Sequence, residues 1–253
     1  MPALANTFLF VEPDDNYLNY ASVPLHQIIE ANKQAGQSIT ELMGVDANPA
    51  KIKEVLSTLN PLVFLGCGHG SPTVFTCQNL APLLHAENSQ ELALMKERIV
   101  LLTSCLTAQQ LGPALVDAGA VSYAGYQQEF WFYIGDEAGA SRAVNSPFLA
   151  EFQFITSLLR GKSTGEARAD QLAKYDEEIA YWTTGEGKNH ADSSELAQIL
   201  NLNKSISVFL GEASVSPSPQ AGALEGVPIS PAIPFAIAFA SVGYVIYKTT
   251  IAK

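Results

Sequence analysis

Two residues in this chain have the chemistry of a nucleophile and of its acid/base partner, and each follows an apolar run. Leu62-Val63-Phe64-Leu65 leads into Gly66-Cys67-Gly68-His69-Gly70-Ser71, and Ile99-Val100-Leu101-Leu102 leads into Thr103-Ser104-Cys105. Short apolar runs bounded by turn residues read as buried strands. Three glycines in five residues after the first run let the backbone take positive φ or approach another segment closely. If the two strands are neighbours, an imidazole and a thiol reach the same sheet edge, as thiolate catalysis requires. Cys105 also precedes a predicted helix over residues 107–118, whose N-terminal N–H groups and dipole would lower a thiol pKa. The other reading of Cys105 is an inert buried cysteine. Cys67, on the strand that carries His69, reads as packing.

Attack of a thiolate on a carbonyl creates an oxyanion, which the backbone N–H groups of Gly70 and Cys105 could hold. A first strand over residues 7–11 ends in Glu12-Pro13-Asp14-Asp15-Asn16. Acids there lie at the edge where open α/β sheets carry their sites, although a solvated turn capping the next helix is an equal reading. A further strand over 120–126 runs into Gln127-Gln128-Glu129-Phe130-Trp131-Phe132-Tyr133. That aromatic loop either walls a substrate pocket or covers the sheet end. His26 reads as a helix-surface residue, His190 as exposed, and His85 has no evident partner.

The elements that would position these residues alternate. Strand 7–11, helix 21–35, strand 38–43, helix 50–59 and the strand ending at Cys67 give β-α-β-α-β, hence a parallel sheet with right-handed crossovers. Residues 71–77 read as a loop or short hairpin, 78–85 as a loop or helical turn, and 89–98 as a helix feeding the Cys105 strand. Gly112-Pro113 should kink the helix over 107–118. Helices follow over 147–160, 164–184 and 194–200, and a last strand over 205–210.

The chain of 253 residues is 47% hydrophobic and 15% charged, with a net charge of −11 and a pI near 4.7. The apolar content excludes disorder, and the acidity with no Lys/Arg cluster excludes a nucleic-acid groove. The charge either favours basic partners or substrates or serves only to keep the protein soluble. Three cysteines without a Cys-x-x-Cys argue against a disulfide framework and a structural zinc, and neither a metal site nor a cofactor is expected. The first residues lack a positive n-region, so no signal peptide is read and the catalytic part is expected in a reducing cytoplasm. Residues 214–231 read as a Ser/Pro-rich linker and 232–253 as a hydrophobic tail. Residues 227–247 are uncharged, about the length that crosses a bilayer. Prolines 228, 231 and 234 confine the helix to 235–247, where Tyr244 and Tyr247 beside Lys248 look like an interfacial anchor. The expectation is a membrane-associated protein with a single-pass C-terminal anchor. A helix packing in a homo-oligomer is the alternative.

The two strand ends together resemble the caspase–gingipain group of cysteine peptidases, with gingipains the nearer match. Gly68-His69-Gly70-Ser71, followed by Phe75, resembles their Gly-His-Gly-Ser segment, and Ser104-Cys105 their nucleophile turn. Gly119-Ala120-Val121, then Gln127-Gln128-Glu129-Phe130-Trp131, is similar to their next strand and Trp-bearing pocket loop. Phe209-Leu210-Gly211-Glu212 resembles the close of their peptidase domain, with Glu212 for the usual Asp. The match covers most of residues 7–213, and the family's flanking domains are missing. The resemblance implies a caspase-like three-layer α/β sandwich over residues 1–213, with a mostly parallel sheet and helices on both faces. It implies Cys105 as nucleophile, His69 as the acid that protonates the leaving amine, and Glu12 as the acid that orients His69. Asp14 and Asp15 would face a basic substrate side chain, with Gln128, Glu129 and Trp131 in the pocket loop. Calcium is sometimes found in proteins of that group. The function implied is a cysteine endopeptidase cleaving peptide or protein substrates after a basic residue. The competing readings are a non-catalytic caspase-like scaffold whose apolar tail mediates membrane attachment or assembly, and acyl chemistry on a non-peptide substrate.

Overall fold

The computed structural model describes residues 4–14, 17–135 and 141–217. Six strands form one sheet: β1 (Leu4–Glu12), β2 (Ser38–Met43), β3 (Pro61–Cys67), β6 (Ile99–Thr103), β7 (Ser122–Tyr126) and β8 (Ser207–Gly211), in the order β2-β1-β3-β6-β7-β8. All neighbours are parallel except β7 and β8. The three central strands β3, β6 and β7 are buried along their whole length. That is why they read as continuous apolar runs and not as alternating patterns.

Helices cover both faces. On one, α1 (Asn19–Asn32), α5 (Arg142–Glu151) and α6 (Gln153–Leu159) bury Leu25, Ile29, Phe148, Ile155 and Leu158 against Phe8, Phe10, Val63, Leu65, Ile99 and Leu101. On the other, α2 (Pro49–Thr58), α3 (Ser89–Leu92) and α4 (Leu111–Asp117) pack with Leu9, Val11, Phe64, Val100 and Leu102. A hairpin of β4 (Val74–Thr76) and β5 (Pro82–His85) joins that second layer through Phe75, Leu83 and Leu84. Outside the first layer, α7 (Thr164–Thr183) and α8 (Ser193–Ile206) add a third cluster around Tyr175, Trp182 and Leu200. The architecture is thus the expected α/β arrangement with a mostly parallel sheet between helices.

Side chains cap several of the helix starts. Asn48 caps α2 by accepting from Lys51 N–H, with Pro49 at the first turn, and Ser163 and Glu166 form a capping box on α7. Several boundaries differ from the sequence reading. The helix expected over 147–160 starts earlier, at a Ser141 cap, and breaks at Phe152 into α5 and α6. The helix expected over 107–118 forms only from Leu111, since Leu106 and Gln110 hold non-helical backbone, with φ of 65° and −134°. Residues 82–85 are a strand, and α8 runs to Ile206 before the last strand begins. Most of the predicted linker and the whole apolar tail, including the expected C-terminal helix, lie outside the described residues. At their edge, Thr164 and Gly165 N–H bond to Val215 and Ala213 carbonyls, so residues 213–215 stay tied to α7. Among the described residues no helix is long and apolar enough to cross a membrane.

One buried cation sets where β3 and β6 begin. Arg98, 5% exposed, donates to Leu94 O at 2.8 Å, to Leu56 O at 3.1 Å and to Pro61 O. It joins the end of α2, the start of β3 and the turn before β6. Replacing it with Met would orphan three carbonyls, a loss of roughly 2–4 kcal/mol of unfolding free energy by urea denaturation.

Candidate active site

The strand order turns between β1 and β3, since the chain leaves β1 for β2 on one side and returns to β3 on the other. In open α/β sheets such a switch point opens a crevice at the carboxyl ends of the strands. His69 and Cys105 lie there, past the ends of β3 and β6.

Hydrogen bonds fix the turn after β3 on both sides. Gly68 N–H donates to Thr103 O at 3.3 Å, and His69 O accepts from Thr76 N–H at 3.0 Å and from Thr76 Oγ1 at 3.1 Å. Gly70 faces Phe75 across an antiparallel bridge. The bonds of that bridge come from the flanking residues, Thr76 N–H to His69 O and Ser71 N–H to Val74 O. The Gly70 N–H therefore points away from β4. Gly70 also lies directly on the Cys105 turn. A Cβ there would sit 2.6 Å from Cys105 O and 2.7 Å from Thr107 Cγ2, and closer still to Ser104 Oγ.

The turn after β6 is equally constrained. Leu106 takes φ of 65°, a left-handed conformation costly for a branched side chain. Leu106 N–H donates to Gln128 O at 3.1 Å and Ala108 N–H to Tyr126 O at 2.9 Å, which moors the turn to the exit of β7. Thr107 Oγ1 accepts from the buried Tyr123 hydroxyl at 2.8 Å. This corrects the expected source of thiol activation. The helix starts only at Leu111 and has 7 residues, so its N-terminus is not beside Cys105.

His69 and Cys105 are half-buried and line one cleft enclosing ≈ 430 Å³, part of it open solvent. Gly68, Thr103 and Ser104 complete its floor, and Phe130, Phe132 and Phe148 form an aromatic wall. Tyr17, Leu18 and Ala21, from the start of α1, close the other side. The rings of the wall brace one another, with centroids 5.3 Å apart for Phe132 and Phe148 and 5.7 Å for Phe130 and Phe148. The other two cysteines are buried. Burial, then the charges of Glu12 and Glu151, pushes the Cys67 thiol well up, and burial pushes Cys77 to about 12.

The remaining sequence candidates divide. Glu12 ends β1 and is 1% exposed, but it is not among the cleft residues. Neither of its carboxylate oxygens accepts a hydrogen bond among the described residues. Burial, then the charge of Glu41, raises its pKa to about 7, tempered by the nearby Ser22 hydroxyl, which itself donates to Leu18 O, and by His26. Asp14 is exposed and held outside the cleft, accepting from Asn19 at 3.1 Å while its N–H donates to Gln78 at 2.7 Å. Asp15 lies outside the described residues. In the aromatic loop Phe130 and Phe132 wall the cleft, whereas Trp131 is bonded through its backbone to Asn203 and packs with the third cluster. Gln128 is exposed and serves through its carbonyl, and Glu129 is half-buried. His85 does have a partner, Glu91 at 2.7 Å, and exposed His26 bonds Glu41 at 3.0 Å. No group of three or more His, Cys, Asp or Glu among the described residues could hold a metal ion. Sequence reading missed Tyr17, Leu18, Thr103 and Phe148, whose apolar or hydroxyl character carries no catalytic signal.

No protein-family model and no curated protein matches the chain. Among solved structures, an inactive zymogen of a C11 protease from Parabacteroides distasonis is similar at 11% identity with a TM-score of 0.37. The alignment covers 77% of this chain and 72% of that one. A likeness this distant carries no residue roles across.

Two outcomes follow from this geometry. Gly70→Ala should lower unfolding free energy by about 1–3 kcal/mol in urea, because the added methyl must displace the Cys105 carbonyl. Folded Glu12 keeps its proton up to about pH 7, whereas the unfolded chain releases it near 4.5. Its contribution to stability is therefore full below 4.5 and is lost as pH rises through 7, by roughly 3 kcal/mol. Thermal unfolding of Glu12→Gln should match wild type at pH 4.5 and exceed it at pH 8.

Proposed function

We propose that the chain is a cysteine endopeptidase in which Cys105 is the nucleophile and His69 the acid/base. The observation that carries this reading is the approach of Gly70 to the Ser104 side chain and the Cys105 carbonyl, with His69 and Cys105 on one cleft. A polar pair of this kind at a strand-end crevice beside an apolar wall has the chemistry of acyl transfer.

In the proposed reaction the Cys105 thiol gives its proton to His69, and the thiolate attacks the scissile carbonyl carbon, whose oxygen takes the negative charge. The Gly70 N–H, directed away from β4, and the Cys105 N–H are the proposed donors to that oxygen. Collapse of the adduct breaks the C–N bond as the His69 imidazolium gives its proton to the departing amine. A thioester remains on Cys105. His69, now neutral, then takes a proton from the water that attacks the thioester, and the acid is released with the thiol restored. Glu12 is proposed to act on folding and not on His69, since its neighbours are Ser22, His26 and Glu41.

The aromatic and aliphatic wall supports an apolar side chain of modest size next to the scissile bond. The preference for a basic residue expected from the acidic turn after β1 has less support, with Asp14 engaged by Asn19 and Gln78. Fluorogenic peptides that vary the residue before the scissile bond test both statements. Peptides with Leu, Ala or Phe should be cleaved about tenfold faster than those with Arg or Lys. Cys105→Ala should abolish turnover, and His69→Ala should lower kcat by about 10² or more. Equal rates for wild type and Cys105→Ala would sink the peptidase reading, and faster cleavage after Arg would overturn the apolar preference alone.

A further inference from the structure

The two strands that carry His69 and Cys105 are joined underneath the cleft by a polar chain that the proposed reaction does not use. Thr103 ends β6 and pairs in register with Cys67, which ends β3. Its carbonyl accepts the Gly68 N–H at 3.3 Å. Its hydroxyl donates to Glu151 Oε1 at 3.1 Å. Glu151 ends α5 and is wholly buried. Its Oε2 accepts from the Tyr126 hydroxyl and from Gln171 Nε2 at 2.7 Å. Tyr126 meets the Tyr175 hydroxyl at 2.7 Å, and Arg168 donates to Gln171 Oε1 at 2.7 Å. Both oxygens of a fully desolvated carboxylate are thereby satisfied by groups from β6, β7 and α7.

A carboxylate in such a place costs more to bury than an apolar side chain of equal volume, so stability alone does not account for it. What an acid supplies and a Leu cannot is a directed hold on the Thr103 hydroxyl, two residues before Cys105. Thr103 in turn touches the backbone of Gly68, one residue before His69.

We propose that Glu151 and Thr103 are positioning residues, which fix the separation of His69 and Cys105 by locking the exits of β3 and β6 to α5. The proposal rests on the Cys105 and His69 reading for its catalytic consequence, but its physical content is the placement of the thiol. Burial raises the Glu151 pKa to about 7, against the bonds from Tyr126, Thr103 and Gln171 and the charge of Arg168. The other ionisable groups facing it, Tyr123, Tyr126, Tyr175 and Cys67, are pushed upward by burial, and Arg168 downward. The carboxylate is therefore the member of the chain that changes charge near neutrality. Once protonated on Oε1 it would donate to Thr103 and no longer accept from it.

Iodoacetamide labelling of the folded full chain tests this without any substrate, because Cys67 and Cys77 are buried and Cys105 is the partly exposed thiol. Thr103→Val keeps the volume and removes the donor. It should slow Cys105 labelling at pH 7.5 about tenfold and lower kcat by a similar factor with KM nearly unchanged. Thr103→Ser should restore both. The ratio of wild-type to Glu151→Gln labelling rates should change between pH 6 and pH 8, on either side of the carboxylate's titration. A Thr103→Val protein that labels and turns over like wild type, or a defect that Ser fails to rescue, would overturn the proposal. So would a labelling ratio independent of pH. If wild type cleaves no peptide while Thr103→Val still slows labelling, the peptidase reading fails and the positioning role stands.

Discussion

The site depends on a close approach of backbone to backbone. The turn after β3 lies against the turn after β6 at Gly70, with no room for a Cβ between it and the Cys105 carbonyl. Much of the surrounding structure holds these turns in that contact. The β4–β5 hairpin pulls the first turn from one side through Thr76, and the exit of β7 holds the second through Gln128 and Tyr126. Arg98 ties the starts of the same two strands together at the other end. Neighbouring parallel strands sit about 4.8 Å apart, so residues a few positions beyond their ends can share a cleft only if their turns do not splay. Glycine after the histidine allows this.

That arrangement is made at some cost in local conformation. Leu106 is held at positive φ, and Ser104 Oγ is buried without a hydrogen bond among the described residues. Strain and unsatisfied polar atoms are tolerated where the surroundings over-determine them. Here the surroundings are three wholly buried strands and a polar chain through Thr103 and Glu151 into α7. The same rigidity explains why the segment after Cys105 is not helical. Its N–H groups bind the neighbouring strand exit, with Leu106 at φ of 65° and Gln110 at φ of −134°, both outside the helical region.

The β-α alternation, the parallel sheet and the two strand ends were legible in the sequence because their signals are local. Buried strands are continuous apolar runs, Asn48-Pro49 marks a helix start, and glycines mark turns. That His69 and Cys105 reach one cleft was legible because their strands resemble each other in pattern and terminate alike. What escaped depends on tertiary partners. Nothing in Glu151 itself marks it as the centre of a buried network, since an isolated glutamate on a helix reads as a solvated charge. The helix break at Phe152 and the strand at 82–85 arise from packing that local propensity does not encode. The aromatic loop was singled out as a pocket wall or a sheet-end cover, with Gln128, Glu129 and Trp131 expected in the pocket, whereas Phe130 and Phe132 line the cleft.

Charge at the strand ends also reads differently once burial is known. By composition the chain carries a net charge of −11, and two of its acids, Glu12 and Glu151, end elements beside the cleft-bearing strands. Counted as anions, they would repel a thiolate at that edge and work against the chemistry proposed there. Burial raises both to about 7, so each is largely neutral through the mildly acidic range and gains charge only near neutrality. The repulsion that remains acts on Cys67, which lies between them and is itself too deeply buried to ionise readily. Desolvation thus weakens the charge that these two acids present to the site below neutrality. An acid counted in the sequence contributes charge at the cleft only to the extent that its burial leaves it ionised.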